Sequence, residues 1–302
     1  MALATDYLID RRRLKRRLTA WQLAAIAAVV AVALVAYGRF DGFASRAHVA
    51  RLTVTGIIAD DAERDEALEA LKDDGRVKAL VVRIDSPGGT VVGGEALYRR
   101  LHEISGRIPV VAVMGELGTS AAYMTALAGE RIFAREGTLT GSIGVIMQTA
   151  DITGLLDKLG IQPESVKSGP LKAQPNPLEP FTPAARAATE AVVADIYQMF
   201  VSLVAERRKM SDEVATKLAD GRVYTGRQAL ANGLIDAIGG ESEARQWLQD
   251  SKKVSTSLPI RDVASADTAE QVSRWLHGAA GKALFPETLN LDGLVSVWHP
   301  RL

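Results

Sequence analysis

The 302-residue chain contains no cysteine, which excludes thiol nucleophiles, disulfide staples and thiolate metal centres together. It has no excess of either charge. Its 36 basic side chains face 36 acidic ones, so the electrostatic footprint of a general nucleic-acid binder is missing. No HExxH occurs, no Asp/Glu/His cluster has metal spacing, and no Gly-Lys-Ser/Thr follows a strand, so no metal or nucleotide cofactor is expected. Histidine is scarce too: His48, His102, His277 and His299 fall in a linker, within a helix and in a weakly patterned tail, where each reads as a surface or packing residue. What the chain does have is apolar surface. With 47% hydrophobic against 24% charged residues, it can offset its ordering entropy, which excludes disorder.

Charge is unevenly placed. Six basic residues lie between Arg11 and Arg17, and Leu18 to Gly38 is then a 21-residue run with no charge. About 20 apolar helical residues cover a hydrocarbon core of about 30 Å, and Trp21 and Tyr37 mark its ends as interfacial rings do. The reading is a basic cytoplasmic tail (1–17), a transmembrane anchor (18–38), a linker (39–49), a main domain (50–250) and a peripheral C-terminal tail (251–302). The basic cluster keeps the N-terminus cytoplasmic and puts the remainder outside the inner membrane, on the periplasmic side. A cleaved signal peptide is the rival reading, but its small-x-small triplet, Ala31-Val32-Ala33, lies inside the apolar run.

From Ala50 the pattern is α/β. ARLTVTGII reads as a strand, Asp60–Asp74 as an amphipathic helix, VKALVVRI and PVVAVM as strands buried on both faces, each followed by a helix. Short strands are expected at Arg131–Ala134, Ser142–Met147, around Glu164–Lys167 and at Arg222–Tyr224. Residues 169–183 hold five prolines and read as an extended loop. Pro183 then opens a helix to about Lys209, with Val192, Ile196, Met199 and Leu203 on one stripe. Gly233 is a helix stop.

With histidine and metals set aside, the chemistry falls to glycine-rich turns at strand ends. Asp85-Ser86-Pro87-Gly88-Gly89 ends one buried strand and Gly115-Glu116-Leu117-Gly118-Thr119-Ser120 ends the next. Such turns aim backbone N–H groups into a cleft beside a helix N-terminus. Ser120 is placed as a nucleophile there, or equally as an ordinary N-cap.

The succession DSPGG, G-x-x-x-x-S-x-x-Y, LTGSIGV, VKSGPLK and DGRVYTGRQA, collinear over about residues 50–245, resembles signal peptide peptidase A, the protease IV family, in its short single-repeat form. The resemblance implies the Clp protease/crotonase fold of repeated ββα units with a mostly parallel sheet, here after one transmembrane helix. It also implies a Ser–Lys dyad and an octameric ring with active sites shared between neighbours. On this sequence the nucleophile falls on Ser120 and the lysine on Lys172, with Ser142 orienting the lysine. Backbone N–H groups of Gly88 or Gly89 and of Ala121 serve as oxyanion donors. Lys167 matches a non-catalytic position.

The chain departs from the family pattern at Ala121 and Ala122, where glycines are usual, and at Ala173, where aspartate usually follows the lysine. Neither departure removes a reacting group. A lysine ammonium, ordinarily near pKa 10.4, accepts a proton only if burial without a carboxylate partner makes its neutral form accessible. Glu179 is the sole acid of Gly169–Phe181. The expectation is a membrane-anchored serine endopeptidase that degrades short hydrophobic peptides such as cleaved signal peptides. The rivals are an inactive oligomeric scaffold on the same fold and a crotonase-type acyl-CoA enzyme, the latter at odds with an exported domain.

Overall fold

The computed structural model describes residues 17–30, 47–263 and 294–297, and the chain divides into two units, 1–47 and 48–302. In the first, a helix α1 spans Arg17–Val30 with every residue exposed. The rest of the expected anchor, 31–38, with residues 1–16 and most of the linker, lies outside the described residues.

The second unit is built on one sheet. In chain order come β1 (His48–Ile58), α2 (Ala62–Lys72), β2 (Val77–Thr90), α3 (Val91–Ser105), β3 (Val110–Thr119), α4 (Ala121–Ala126), β4 (Arg131–Ala134), β5 (Leu139–Gly141) and β6 (Ile146–Met147). Then follow α5 (Thr153–Lys158), α6 (Pro183–Arg208), α7 (Asp212–Leu218), β7 (Val223–Thr225), α8 (Gly226–Ala231), β8 (Ala237–Ile238), α9 (Glu241–Lys252), β9 (Ile260–Asp262) and β10 (Leu294–Val297). The path β6-β10-β2-β3-β4-β8 carries β1 on β2, β9 on β1, β5 on β3 and β7 on β5. All pairings are parallel except those of β10 with β2 and β6 and of β5 with β7. The expected mixed α/β class with a mostly parallel sheet is what the chain forms.

The centre of the sheet is apolar on both faces, as the continuous β-branched runs predict. Leu80, Val82 and Ile84 of β2 face one cluster with Leu97, Leu101, Tyr123, Phe200 and Val204 from the helices. Val81, Val111 and Val113 face the other, under Ala244 and Leu248 of α9.

Four expectations need correction. First, β2 and β3 do not end at their glycine-rich segments. β2 runs on through Thr90 because Gly88 and Gly89 pair with Ile57 and Ile58, and β3 runs on to Thr119 by pairing Leu117–Thr119 with β5. Second, no strand forms at Glu164–Lys167; this stretch has no ladder and Val166 is wholly exposed. Third, the tail read as peripheral contributes β9 and β10 to the sheet, strands of three and four residues whose period is too short to read. Fourth, α6 begins as expected, with Pro183 at N1 and Thr182 Oγ1 accepting from Ala185 N–H at 3.2 Å, but its buried stripe is Phe200, Val201, Val204 and Ala205. Most of its first half is exposed. This helix is long and apolar enough to cross a membrane, with mean hydropathy 1.3, yet its C-terminal half belongs to the core.

α3 packs closely because it lacks side chains where it touches its neighbours. A Cβ on Gly93 would lie 2.5 Å from the Ala59 carbonyl carbon, and one on Gly94 would lie 2.8 Å from the Ala121 Cβ. The methyl that Ala121 adds is therefore accommodated by the missing one at Gly94. Gly93→Ala should cost roughly 1–3 kcal/mol through overpacking against backbone, more than the ~1 kcal/mol gained in helix propensity. Urea unfolding should register this, while Gly75→Ala, with nothing within 4 Å, should stay within about 0.5 kcal/mol of wild type.

Candidate active site

Two parallel strands deliver two serines side by side. The β3–β5 register runs Leu117↔Leu139, Gly118↔Thr140, Thr119↔Gly141, and Ser120 N–H donates to Gly141 O at 2.8 Å, so the next residues in step are Ser120 and Ser142. Both have positive φ, 57° and 49°. Ser120 adopts ψ −123°, a conformation that costs on the order of 1–3 kcal/mol for a non-glycine residue and persists only where the surroundings impose it.

Those surroundings are rigid. Ser120 is 1% exposed, and α4 behind it is buried at every position. Ser120 O accepts from Met124 N–H at 3.0 Å. The Tyr123 hydroxyl donates to Leu234 O at 2.8 Å, and complete burial raises its pKa. Thr140 Oγ1 donates to Gly118 O at 2.7 Å, and Ser142 N–H donates to Arg222 O at 2.8 Å. Although Ser120 stands at the N-cap position of α4, its hydroxyl makes no capping hydrogen bond. The N-cap alternative is thereby set aside.

The glycine segment of β2 lies against the same turn. Gly88 has φ 109°, which glycine alone adopts readily. A Cβ on Gly89 would fall 1.8 Å from Ile58 O, so that position admits only glycine. Gly88 N–H donates to Ser86 Oγ at 3.1 Å. Ala121 is the first residue of α4, where amides have no intrahelical acceptor.

Lys172 is not brought to Ser120. It is exposed in the proline-rich loop, and its ammonium makes no hydrogen bond or ion pair among the described residues. Lys167 is held instead: it pairs with Glu179, whose carboxylate also accepts from Ser165 Oγ and from Gln174 Nε2 at 2.5 Å or slightly more. The only acid of the loop is thus neutralised by the neighbouring lysine. His48 departs from its expected linker position, being a buried residue of a strand, whereas His102 is a helix residue as expected. His48 starts β1, away from the Ile57–Ile58 end, and His102 stacks on Tyr98 in α3; His277 and His299 lie outside the described residues. Among the described residues no group of three His, Asp or Glu side chains could hold a metal.

Sequence reasoning missed the buried hydroxyls that brace these turns, Ser86, Thr119 and Thr140. Their signal was present: each is itself a residue of the glycine motifs.

The chain is thus a mixed α/β protein in which a strained, buried serine stands at a strand–helix junction beside a glycine segment. The model of peptidase family S49 matches residues 102–255, and the chain belongs to that family. It is 42% identical over 205 residues to a Synechocystis sp. chain that carries a protease name, covering 67% of this chain and 74% of that one. It is 30% identical over 270 residues to an Enterococcus faecium chain named for signal peptide peptidase SppA, covering 85% and 78%. The serine protease SPPA of Arabidopsis thaliana chloroplasts is 34% identical, covering 76% of this chain and 36% of that longer one. Among solved structures, a point mutant of ClpP1 from Listeria monocytogenes superposes with a TM-score of 0.43 at 18% identity, covering 64% of this chain and 92% of that one. The acyl-CoA reading falls with family membership.

The Lys167–Glu179 clamp makes a pH prediction. Hydrogen bonding from Lys167, then Ser165, lowers the Glu179 pKa from 4.5 to about 2. A carboxylate whose folded pKa is depressed stabilises above its unfolded value and loses that contribution as pH falls through the folded one. Amide exchange in residues 165–179 should hold steady down to about pH 4.5 and accelerate, beyond the intrinsic pH trend, between there and about pH 2. Glu179→Gln should abolish this acid dependence.

Proposed function

We propose that the chain is a membrane-anchored serine endopeptidase acting outside the inner membrane on short hydrophobic peptides such as cleaved signal peptides. Ser120 is the nucleophile and Lys172 of an adjacent copy is its base. The reading is carried by Ser120 itself, a buried serine held at φ 57° with no capping bond to make in a family of peptidases.

Ser120 Oγ attacks the scissile carbonyl as the neutral lysine amine takes its proton; the ammonium then protonates the leaving amine, and water reverses the sequence on the acyl-enzyme. Ser142, one strand over, accepts or donates to the amine and keeps it in line. The developing oxyanion takes the N–H groups of Ala121 and of the glycine segment, where the engagement of Gly88 with Ser86 favours Gly89. The backbone edge at Gly88–Thr90, with Ile146–Met147 facing it, accommodates one extended antiparallel strand, β10 here. An extended peptide substrate suits such an edge because main-chain hydrogen bonds bind it without regard to sequence.

Two features support a site shared between subunits. Lys172 stands out on an exposed loop, and that loop and its flank present Leu155, Leu159, Val166, Leu171 and Leu178 to solvent, more apolar surface in one stretch than a monomer usually leaves open. Docked against a neighbour in a ring of copies, octameric by the family resemblance, this surface would be covered. The amine would then enter a dry site with no carboxylate, since Glu179 is occupied by Lys167. The first half of α6 leaves a further apolar side chain, Val192, exposed.

A fluorophosphonate probe should label Ser120 in the wild-type oligomer, and Ser120→Ala and Lys172→Ala should each reduce peptide hydrolysis by at least about 10³-fold. Lys167→Ala should lose only severalfold, through a loosened loop. Co-assembled Ser120→Ala and Lys172→Ala copies should regain part of the activity; mixed rings that stay inactive would place the dyad within one chain. The topology is tested separately: protease added to spheroplasts should digest residues 39–302, and protection until lysis would reverse the orientation.

A further inference from the structure

Resting on the peptidase reading above, we infer that Ser86 and Thr119 are positioning residues that set the oxyanion donor by locking a single peptide plane. The carbonyl of Pro87 and the N–H of Gly88 belong to one planar unit. Thr119 Oγ1 donates to that carbonyl at 3.0 Å, and Ser86 Oγ accepts from that N–H at 3.1 Å. Ser86 Oγ spends its own proton on Gly56 O at 2.6 Å. Both side chains are 0% exposed, so each bond forms where water cannot replace it.

These hydroxyls sit where the sheet cannot do the work itself. The β1–β2 ladder shifts register between Thr55 and Ile57, leaving Gly56 unpaired at φ 65°. The β2–β3 ladder shifts between Ile84 and Ser86. At such bulges the regular backbone bonds lapse, and Ser86 and Thr119 supply replacements across both gaps.

The consequence reaches the chemistry through geometry. With the Pro87–Gly88 plane fixed, Gly88 held at φ 109° and Gly89 seated against Ile58 in the β1–β2 ladder, the next amide, Gly89 N–H, has little freedom to turn. Thr119 is the residue immediately before Ser120, so the same bond ties the donor to the nucleophile. If the nucleophile turn shifts, the donor shifts with it, and their separation is preserved. An oxyanion hole needs this property because its donors must match the transition-state oxygen and not the ground-state carbonyl.

The experiment uses the full chain in detergent and a chromogenic hydrophobic peptide amide, with Ser86→Ala, Thr119→Val and Thr119→Ser compared by kcat, KM and thermal unfolding. Loss of one oxyanion donor lowers kcat by ~10²–10³-fold, so a misaimed one should lower it by roughly 10–100-fold. In Ser86→Ala and Thr119→Val, kcat should fall by that factor with KM changed less than about threefold. Affinity for a peptide aldehyde, which forms a tetrahedral adduct on Ser120, should fall in parallel. Thr119→Ser, which keeps the hydroxyl, should recover most of kcat. Folded Ser86→Ala or Thr119→Val proteins with kcat near wild type, losses confined to KM, or a Thr119→Ser as impaired as Thr119→Val would each overturn the assignment. A wild-type chain that neither hydrolyses the peptide nor takes a fluorophosphonate label would instead overturn the peptidase reading, and this assignment with it.

Discussion

The packing around the end of β3 and the start of α4 keeps a non-glycine residue in a backbone conformation it would otherwise leave. Ser120 at φ 57°, ψ −123° carries a strain of about 1–3 kcal/mol, comparable to one or two good hydrogen bonds. No single contact is required to hold it. The ladder bond to Gly141, the helical bond from Met124, the Tyr123 anchor on Leu234 and the close seating of Ala121 against Gly94 each remove a direction in which the turn could relax. Because α4 is buried on all sides, relaxation would have to displace packed neighbours, and close-packed interiors resist that strongly. The proposed nucleophile is thus held in place by the fold before any reaction begins.

How much of this could be read from the sequence depended on the range of the interaction responsible. The cores of β1 to β4 were legible from their apolar patterning, alternating in β1 and nearly continuous where burial is on both faces, as in Val77–Ile84. The start of α6 at Pro183 and the αL glycine after α8, Gly233, were legible because local stereochemistry alone dictates them. The extension of β2 through Gly88–Thr90 was not, since glycine and proline signal a turn unless another strand claims them, and the claimants, Ile57–Ile58, lie some thirty residues away. β8, β9 and β10 were unreadable for a related reason: two to four residues hold no period.

The site divides in the same way. Ser120 and Ser142 could be named from motifs, and their adjacency follows from a ladder that the motifs themselves build. Lys172 could be named too, but no local rule says where a proline-rich loop goes. In the single chain it goes outward. The two residues therefore differ in mechanical setting. One is over-determined by its own fold; the other is presented on a surface whose apolar side chains are left uncovered among the described residues.

That difference has a physical logic for a proteolytic enzyme. A neutral lysine must be desolvated, and desolvating it inside a monomer would weigh on the stability of every folding chain. If the base comes from a neighbouring copy, as proposed, the lone chain would keep a hydrated ammonium and the desolvation would fall on an interface whose apolar burial can offset it. The loop suits this: Glu179, the sole acid of Gly169–Phe181, is already engaged by Lys167, Ser165 and Gln174. On the proposed reading, a solitary subunit would hold a strained, buried serine with no base and would be inert toward peptides. Competence would arise only with the copy that brings the amine, so the same burial that stabilises the oligomer also confines cleavage to it.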